Sequence, residues 1–438
     1  MRNMESNWRG LIAQRCGGAS FDAPGGGYAF STVLAEERAL EENNVCGDPS
    51  SALLKLSIAD PTWKMSYEAM LASLAYYQNC PDATRYTDNH GAQECHQADI
   101  YYSTNTLIAG YLLERFPRGS VFFSEECVQY SPGAIKRALA EYIPTLFFDN
   151  QSLLFFPTPG YPVIKSDMNR RNAVSVDSVM SFREGRWGYQ FGLMDSLFDN
   201  TRFRKFFMYV NIPHNPTGTG FRKEDWENIL AWAMRQGVTL IVDEAYIDLC
   251  YDPDCVSVLT VQGWEECCVV LQSVSKGWNA TGLRFGWMIA HPTLIKALRK
   301  VTDVKDSGLF GPSIAAGLAL IQNPKLAENT RANYLGLHKN LHGGLSIAGF
   351  SSSMPDAGLC QFTPAPRSAN GRQFADVYEC ANWFRRELRI SIMPYMVGEH
   401  PWLRWAVTIK PVPMCDLPDE KAVINEVVRR LSRVEFEF

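Results

Sequence analysis

Between residues 200 and 310 the chain alternates short, almost wholly apolar runs with longer segments of helical period. RKFFMYVNIP, VTLIVDEAY, CCVVLQSVSK and RFGWMIA are runs of strand length rich in β-branched and aromatic residues. Between and after them, KEDWENILAWAMRQG and PTLIKALRKV repeat apolar residues every three or four positions. Strands without polar alternation are buried on both faces, and helices between them imply crossovers, so this half predicts an α/β fold with a mainly parallel central sheet flanked by helices. Upstream, LLKLSIADPTW predicts a short strand entering a turn, and SPGAIKRALAEYI a helix with Gly133 at its mouth. QSLLFFPTPGYP predicts a strand stopping at Pro157 and Pro159, and NAVSVDSV another strand. Beyond about residue 310, helical segments lead into GLCQFTPAP, LRISIMP and PWLRWAVTI, short strands with loops between them. That change predicts a smaller α+β domain. The expected division is a large domain over 64–310, with 1–63 and 311–438 forming an N-terminal arm and the small domain.

Composition narrows the function without naming it. A formal net charge of −5 gives no footprint for nucleic acid or an anionic membrane. No apolar run has the length of a membrane span, and the first residues lack a signal-peptide core, so a cytoplasmic location is expected. The 12 cysteines form no CxxC pair and read as reduced thiols. His338 and His342 share a helical spacing but lack the glutamate of a zinc-protease helix, so no metal is expected. The glycine-rich stretch from Cys16 to Ser31 reads either as a loose arm or as a segment that orders over a site. FREGRW, from Phe182 to Trp187, reads as a solvated turn rather than a nucleotide platform.

In a mainly parallel sheet, chemistry gathers at the carboxyl ends of strands. Three such ends carry polar groups just past apolar runs: NIPHNPTG (Asn211 to Gly218), DEAY (Asp243 to Tyr246) and SVSK (Ser273 to Lys276), with Arg284 downstream. A lysine at the end of a buried strand is costly unless it is neutral, paired or covalently used.

SVSKGWNATGLRFGW resembles the cofactor-lysine signature of fold-type I pyridoxal 5'-phosphate (PLP) enzymes of the class I/II aminotransferase family. NPTG and DEAY are similar to the two signatures that precede it. Weaker similarities lie in RYTDNHG (85–91), SPGA (131–134), TPGYP (158–162) and WLRWA (402–406). The resemblance implies a catalytic Lys276 that carries PLP as a Schiff base and then moves the proton at the substrate Cα. It implies Asp243 at the pyridine nitrogen, with Asn215 and Tyr246 at the phenolic oxygen. Ser273, Ser275, Arg284 and the helix start at Gly133 and Ala134 would take the phosphate. Tyr161 corresponds to a ring stacked on the cofactor, or else is a core tyrosine. Tyr86 corresponds to a tyrosine reaching the phosphate of a neighbouring subunit, which implies a homodimer with shared sites, or else is a surface residue. Arg404 corresponds to the arginine gripping the substrate α-carboxylate, with Asn215 beside it, or else forms a surface ion pair. Ala59 stands where many relatives have a glycine lining the substrate, and residues 92–130 depart from the family's texture.

The implied activity is amino transfer between an amino acid and a 2-oxo acid through external aldimine and quinonoid intermediates. The alternative is a PLP-dependent lyase or synthase in specialised biosynthesis, by elimination, replacement or carbon–carbon bond formation. A PLP-binding regulator would be expected to carry a basic extra module, which the chain lacks, and a cofactor-free binding protein would not need Lys276, Asp243, Asn215 and Arg284 together.

Overall fold

The computed structural model describes residues 11, 29–80, 87, 89, 92–95, 100–116, 123–168, 171, 173–198, 202–308 and 310–438. Its central element is a seven-stranded sheet. The strands used below are β1 (Leu54–Lys55), β2 (Val128–Pro132), β3 (Ser152–Thr158), β4 (Val174–Val179), β5 (Lys205–Asn211), β6 (Val238–Asp243), β7 (Cys268–Ser273), β8 (Phe285–Ile289), β9 (Cys360–Pro364), β10 (Ile390–Ser391), β11 (Met393–Val397) and β12 (His400–Ala406). The large sheet runs in the order β2-β8-β7-β6-β5-β3-β4. Only β8 runs against its neighbours, pairing antiparallel with both β7 and β2. All of β7 and β8 is buried, as the unbroken apolar runs require.

Helices cover both faces. The helix Lys223–Gln236 buries Trp226, Ile229, Leu230 and Ala233, one stripe at helical spacing, and ends on Gly237 with φ +68°. On the other face a helical run begins at Ala134, passes through a π-helical stretch at Ala138–Tyr142 and ends at Phe147. A third core gathers Leu56, Tyr334, Phe384, Trp405 and Val427 around the antiparallel sheet β9-β12-β11. The helix Gly311–Ile321 packs on Tyr67–Asn79, and its Ile314, Ala316 and Leu320 join the core of the large sheet.

Two local expectations change. β3 runs through Pro157 to Thr158. Its pairing with β5 ends at Phe155, so Pro157 sits where that side of the strand needs no ladder donor. FREGRW is a β-hairpin, Ser181–Arg183 with Arg186–Gly188. Its Trp187 is buried against Trp402 and Phe362 of the antiparallel sheet.

Candidate active site

One edge of the large sheet collects the polar strand ends. Asn211 closes β5 opposite Asp243, which closes β6, and Ser273 closes β7. Together they face a cavity of about 370 Å³. Of the residues singled out in the sequence, Lys276, Asp243, Tyr246, Asn215, Ser273, Ser275, Arg284, Ala134, Tyr161, Arg404 and Ala59 all line it. Gly133 lies beside it, bonded to Arg284. Tyr86 and most of RYTDNHG lie outside the described residues, as does Cys16 to Tyr28 of the glycine-rich stretch.

Lys276 is poised as an amine. Burial pulls its pKa down to about 8, Arg404 and Arg284 push the same way, and Asp60 and Cys360 oppose them. Its Nζ donates to the Ala59 carbonyl at 2.7 Å. Asp243 is 3% exposed. Burial raises its pKa to about 6, against hydrogen bonds from Tyr209 and the Ala245 amide and the charge of Lys276. Its main-chain carbonyl takes the Asn211 amide at 3.0 Å, and Asn211 Oδ1 takes the Asn215 N–H at 3.0 Å. Asn211 thus ties the NPTG turn to the end of β6.

At the other side of Lys276, Arg284 adopts a left-handed backbone, φ +59°. Its guanidinium spans two carbonyls, Thr281 at 2.7 Å and Gly133 at 2.5 Å, which fixes it at the start of the helix from Ala134. Gly286 explains how close these parts come. A Cβ there would lie 2.8 Å from the Gln272 carbonyl and 3.0 Å from Ala134 Cα and Ser273 Cβ. The result is a cradle of hydroxyls, a guanidinium and a helix start, suited to a bound phosphate.

Arg404 stands across the cavity, 1% exposed. It donates to Asn215 Oδ1 at 3.0 Å, to Tyr395 Oη at 3.4 Å and to the Ser57 carbonyl. Ser57 is itself held from the arm. The buried Glu37, on the helix Ala29–Glu41, accepts hydroxyls from Ser57 and, at 2.7 Å, from Ser391. Leu34 of the same helix reaches the cavity. An arginine in this interior position is no surface ion pair.

The sequence does not single out Tyr209, Ser57 or Glu37, and it gives Asn211 no role of its own. Asn211 left a trace, a polar residue closing an apolar run, whereas the others left none. Glu244, next to Asp243, points to the opposite side, where Ser257, the Val258 amide and Gln272 all donate to its carboxylate. His338 and His342 are held by the Gly358 carbonyl and by Ser352. Among the described residues no helix is long and apolar enough to cross a membrane.

The model of the family "Aminotransferase class I and II" matches residues 53–411. An LL-diaminopimelate aminotransferase of Methanococcus maripaludis is 27% identical over 99% of this chain and all of its own length. One from Methanocaldococcus jannaschii is 26% identical over the same shares. Among solved structures, substrate-bound BacF from Bacillus subtilis superposes with a TM-score of 0.78 at 18% identity, covering 94% of this chain and 95% of its own. A Thermus thermophilus aspartate aminotransferase mutant also reaches 0.78, at 17% identity, covering 96% and 99%. At such identities these two establish the shared fold.

Proposed function

The chain belongs to the class I and II aminotransferases, and we propose that it holds PLP on Lys276 and passes the amino group of an amino acid to a 2-oxo acid. What carries the reading is the convergence of Lys276, Asp243, Arg284 and Arg404 on one cavity. The donor set fits PLP at each of its parts. The lysine is largely desolvated, a buried carboxylate faces it, and the close approach around Gly286 makes a phosphate-sized cradle. When bound, PLP supplies an aldehyde for the lysine and a protonated ring that stabilises negative charge at the substrate Cα.

The chain's own groups then have distinct tasks. A pKa near 8 leaves a useful share of Lys276 neutral at physiological pH, able to act as a nucleophile and to take and return the Cα proton. Asp243 would keep the ring nitrogen protonated, and Asn215 and Tyr246 would hydrogen-bond the ring oxygen. Ser273, Ser275, Arg284 and the amides at Gly133 and Ala134 would hold the phosphate, and Tyr161 would be the aromatic side chain against the ring. Arg404 grips the α-carboxylate through its planar fork, which sets the Cα–H bond toward Lys276. Ala59 and Leu34 wall the substrate side.

The relatives matched end to end are named aminotransferases, so the lyase or synthase alternative is not favoured. The substrate in those relatives' names, LL-diaminopimelate, supports a substrate here that carries an α-amino and an α-carboxylate group. We infer that the active unit is a homodimer in the cytoplasm. In support, Tyr67, Met70, Leu71, Leu74 and Tyr77 form one exposed apolar face of the helix Tyr67–Asn79. Sedimentation as a monomer would remove that part. The two-domain division stands as part of the proposal, its second boundary moved past Ile321 because Gly311–Ile321 packs in the large core.

The test is a half-reaction. PLP-loaded protein mixed with single amino acids, without an oxo acid, is expected to release one equivalent of 2-oxo acid per site. Lys276→Ala is expected to lose at least about a thousandfold in rate, as removal of a nucleophile that doubles as acid–base group does. Full turnover in that variant, or ammonia in place of a retained amino group, would overturn the reading.

A further inference from the structure

Asp243 does not stand on its own motif alone. β5 lies beside β6 in parallel register, Tyr209 opposite Ile241 and Asn211 opposite Asp243. Residues two apart on a strand share a face, so Tyr209 lies one step behind Asp243 on the side of the sheet that the cavity closes. Its hydroxyl reaches forward along that face and donates to Asp243 Oδ2 at 2.7 Å. The ring is wholly buried and stacked on Phe156, with centroids 5.9 Å apart and planes 5° from parallel. That stacking leaves the phenol one direction in which to point.

The carboxylate is thereby held at both oxygens. Oδ1 takes the Ala245 N–H at 3.0 Å, and Oδ2 takes Tyr209. Each carboxylate oxygen can accept two hydrogen bonds, so both retain capacity toward the cavity. Burial and the neighbouring Asp243 keep the Tyr209 phenol protonated well above its ordinary range, so it stays a donor through physiological pH. The ionisable groups around Asp243 are Tyr209 from β5 and, across the cavity, Lys276, Tyr161 and Tyr246. Of the side chains, only Tyr209 is within hydrogen-bond distance of the carboxylate among the described residues.

We propose that Tyr209 is a positioning residue whose hydroxyl keeps the Asp243 carboxylate ionised and aimed at a protonated ring nitrogen in the cavity, an inference that rests on the PLP reading above. A tyrosine present only to fill the core would be replaced by phenylalanine without consequence for the nitrogen. A tyrosine that tunes Asp243 would act through that nitrogen, so its effect would vanish with a ligand that lacks it.

The experiment compares wild type and Tyr209→Phe as apoproteins, titrated with PLP and with its 1-deaza analogue, which keeps the aldehyde and phosphate but has carbon in place of the ring nitrogen. For PLP the variant is expected to bind about tenfold more weakly, the scale of one hydrogen bond to a buried charge. For the deaza analogue the two proteins are expected to bind alike. The visible absorbance of the PLP-loaded variant should also titrate about one pH unit higher. A ring nitrogen that has lost its proton withdraws less charge, so the lysine-derived nitrogen keeps its own proton to higher pH. Equal weakening toward both ligands would make Tyr209 merely structural and overturn the proposal, as would unchanged PLP binding. Wild type that binds no PLP would instead overturn the cofactor reading, and this inference with it. Should Tyr209→Phe not fold, 3-fluorotyrosine placed at 209 is a stronger donor and is expected to tighten PLP alone; no change would again overturn the proposal.

Discussion

The two ends of the cavity are built in different ways. At the Lys276 end, Asn211, Asp243 and Ser273 close adjacent strands of one sheet, each fixed by its own ladder and by cores on both faces. At the Arg404 end, the wall is assembled from β12, the segment at Ser57 to Asp60, and Leu34 and Glu37 of the arm helix. These pieces meet through hydrogen bonds between remote parts of the chain, such as Ala406 N–H to the Leu56 carbonyl and Thr408 to the Ile58 carbonyl. A rigid sheet edge suits chemistry that must be identical for every substrate. A wall joined from separate segments can vary in shape without disturbing the sheet.

If that division is real, the two ends fail differently when altered. Arg404→Lys keeps the charge and loses the fork, so kcat/KM for the amino acid should fall about 100-fold, some 3 kcal/mol of substrate gripping. PLP affinity should stay as in wild type. Equal losses in both, measured by steady-state kinetics beside PLP titration, would make Arg404 a brace between Ser57 and Asn215 and dissolve the contrast.

Glu244 sharpens the same contrast from the sheet side. It adjoins Asp243 yet serves the core, and burial raises its pKa to about 7 despite three donors. Because this carboxyl holds its proton more tightly folded than unfolded, the folded state loses stability as pH rises from its ordinary value, 4.5, through about 7. Glu244→Gln removes that loss, while Asp243, present in both proteins, cancels. Urea midpoints should therefore show the variant gaining on wild type by about 3 kcal/mol between pH 4.5 and pH 8. An equal gap at both pH values would mean that Glu244 does not titrate in this window.

Legibility in the sequence follows the same line. The sheet end could be read because each of its groups follows an apolar run directly, and strand, turn and chemistry sit within ten residues of one another. Arg404 and Ala59 could be placed only by resemblance. Their partners Ser57, Glu37 and Tyr395 carry no local mark, since what defines them is contact with segments far along the chain. The hairpin at Phe182 misled for the same reason. Its charged and aromatic residues look solvated in sequence, and only the arrival of Trp402 and Phe362 buries Trp187. Tyr209 was hidden in the opposite way, as one more aromatic in an apolar strand whose hydroxyl finds Asp243 only across the sheet.

The finest probe of the joined wall is Ala59. Its carbonyl takes Lys276 Nζ at 2.7 Å, while its side chain, 9% exposed, faces the cavity. Ala59→Gly leaves the carbonyl and removes one methyl, so the lysine contact and PLP affinity should hold. The space released lies on the substrate side, where a methylene is worth about 1 kcal/mol or somewhat more. The ratio of kcat/KM between bulky and small amino acids is therefore expected to rise about fivefold to tenfold, with kcat for the small one nearly constant. The outcome separates two ways in which the segment from Ser57 to Asp60 can work. If the ratio moves and PLP affinity does not, the methyl sets the shape of the pocket independently of the sheet edge. If the ratio stays and PLP binding weakens, the added freedom of glycine has loosened the carbonyl that meets Lys276, and this wall then belongs to the cofactor end after all.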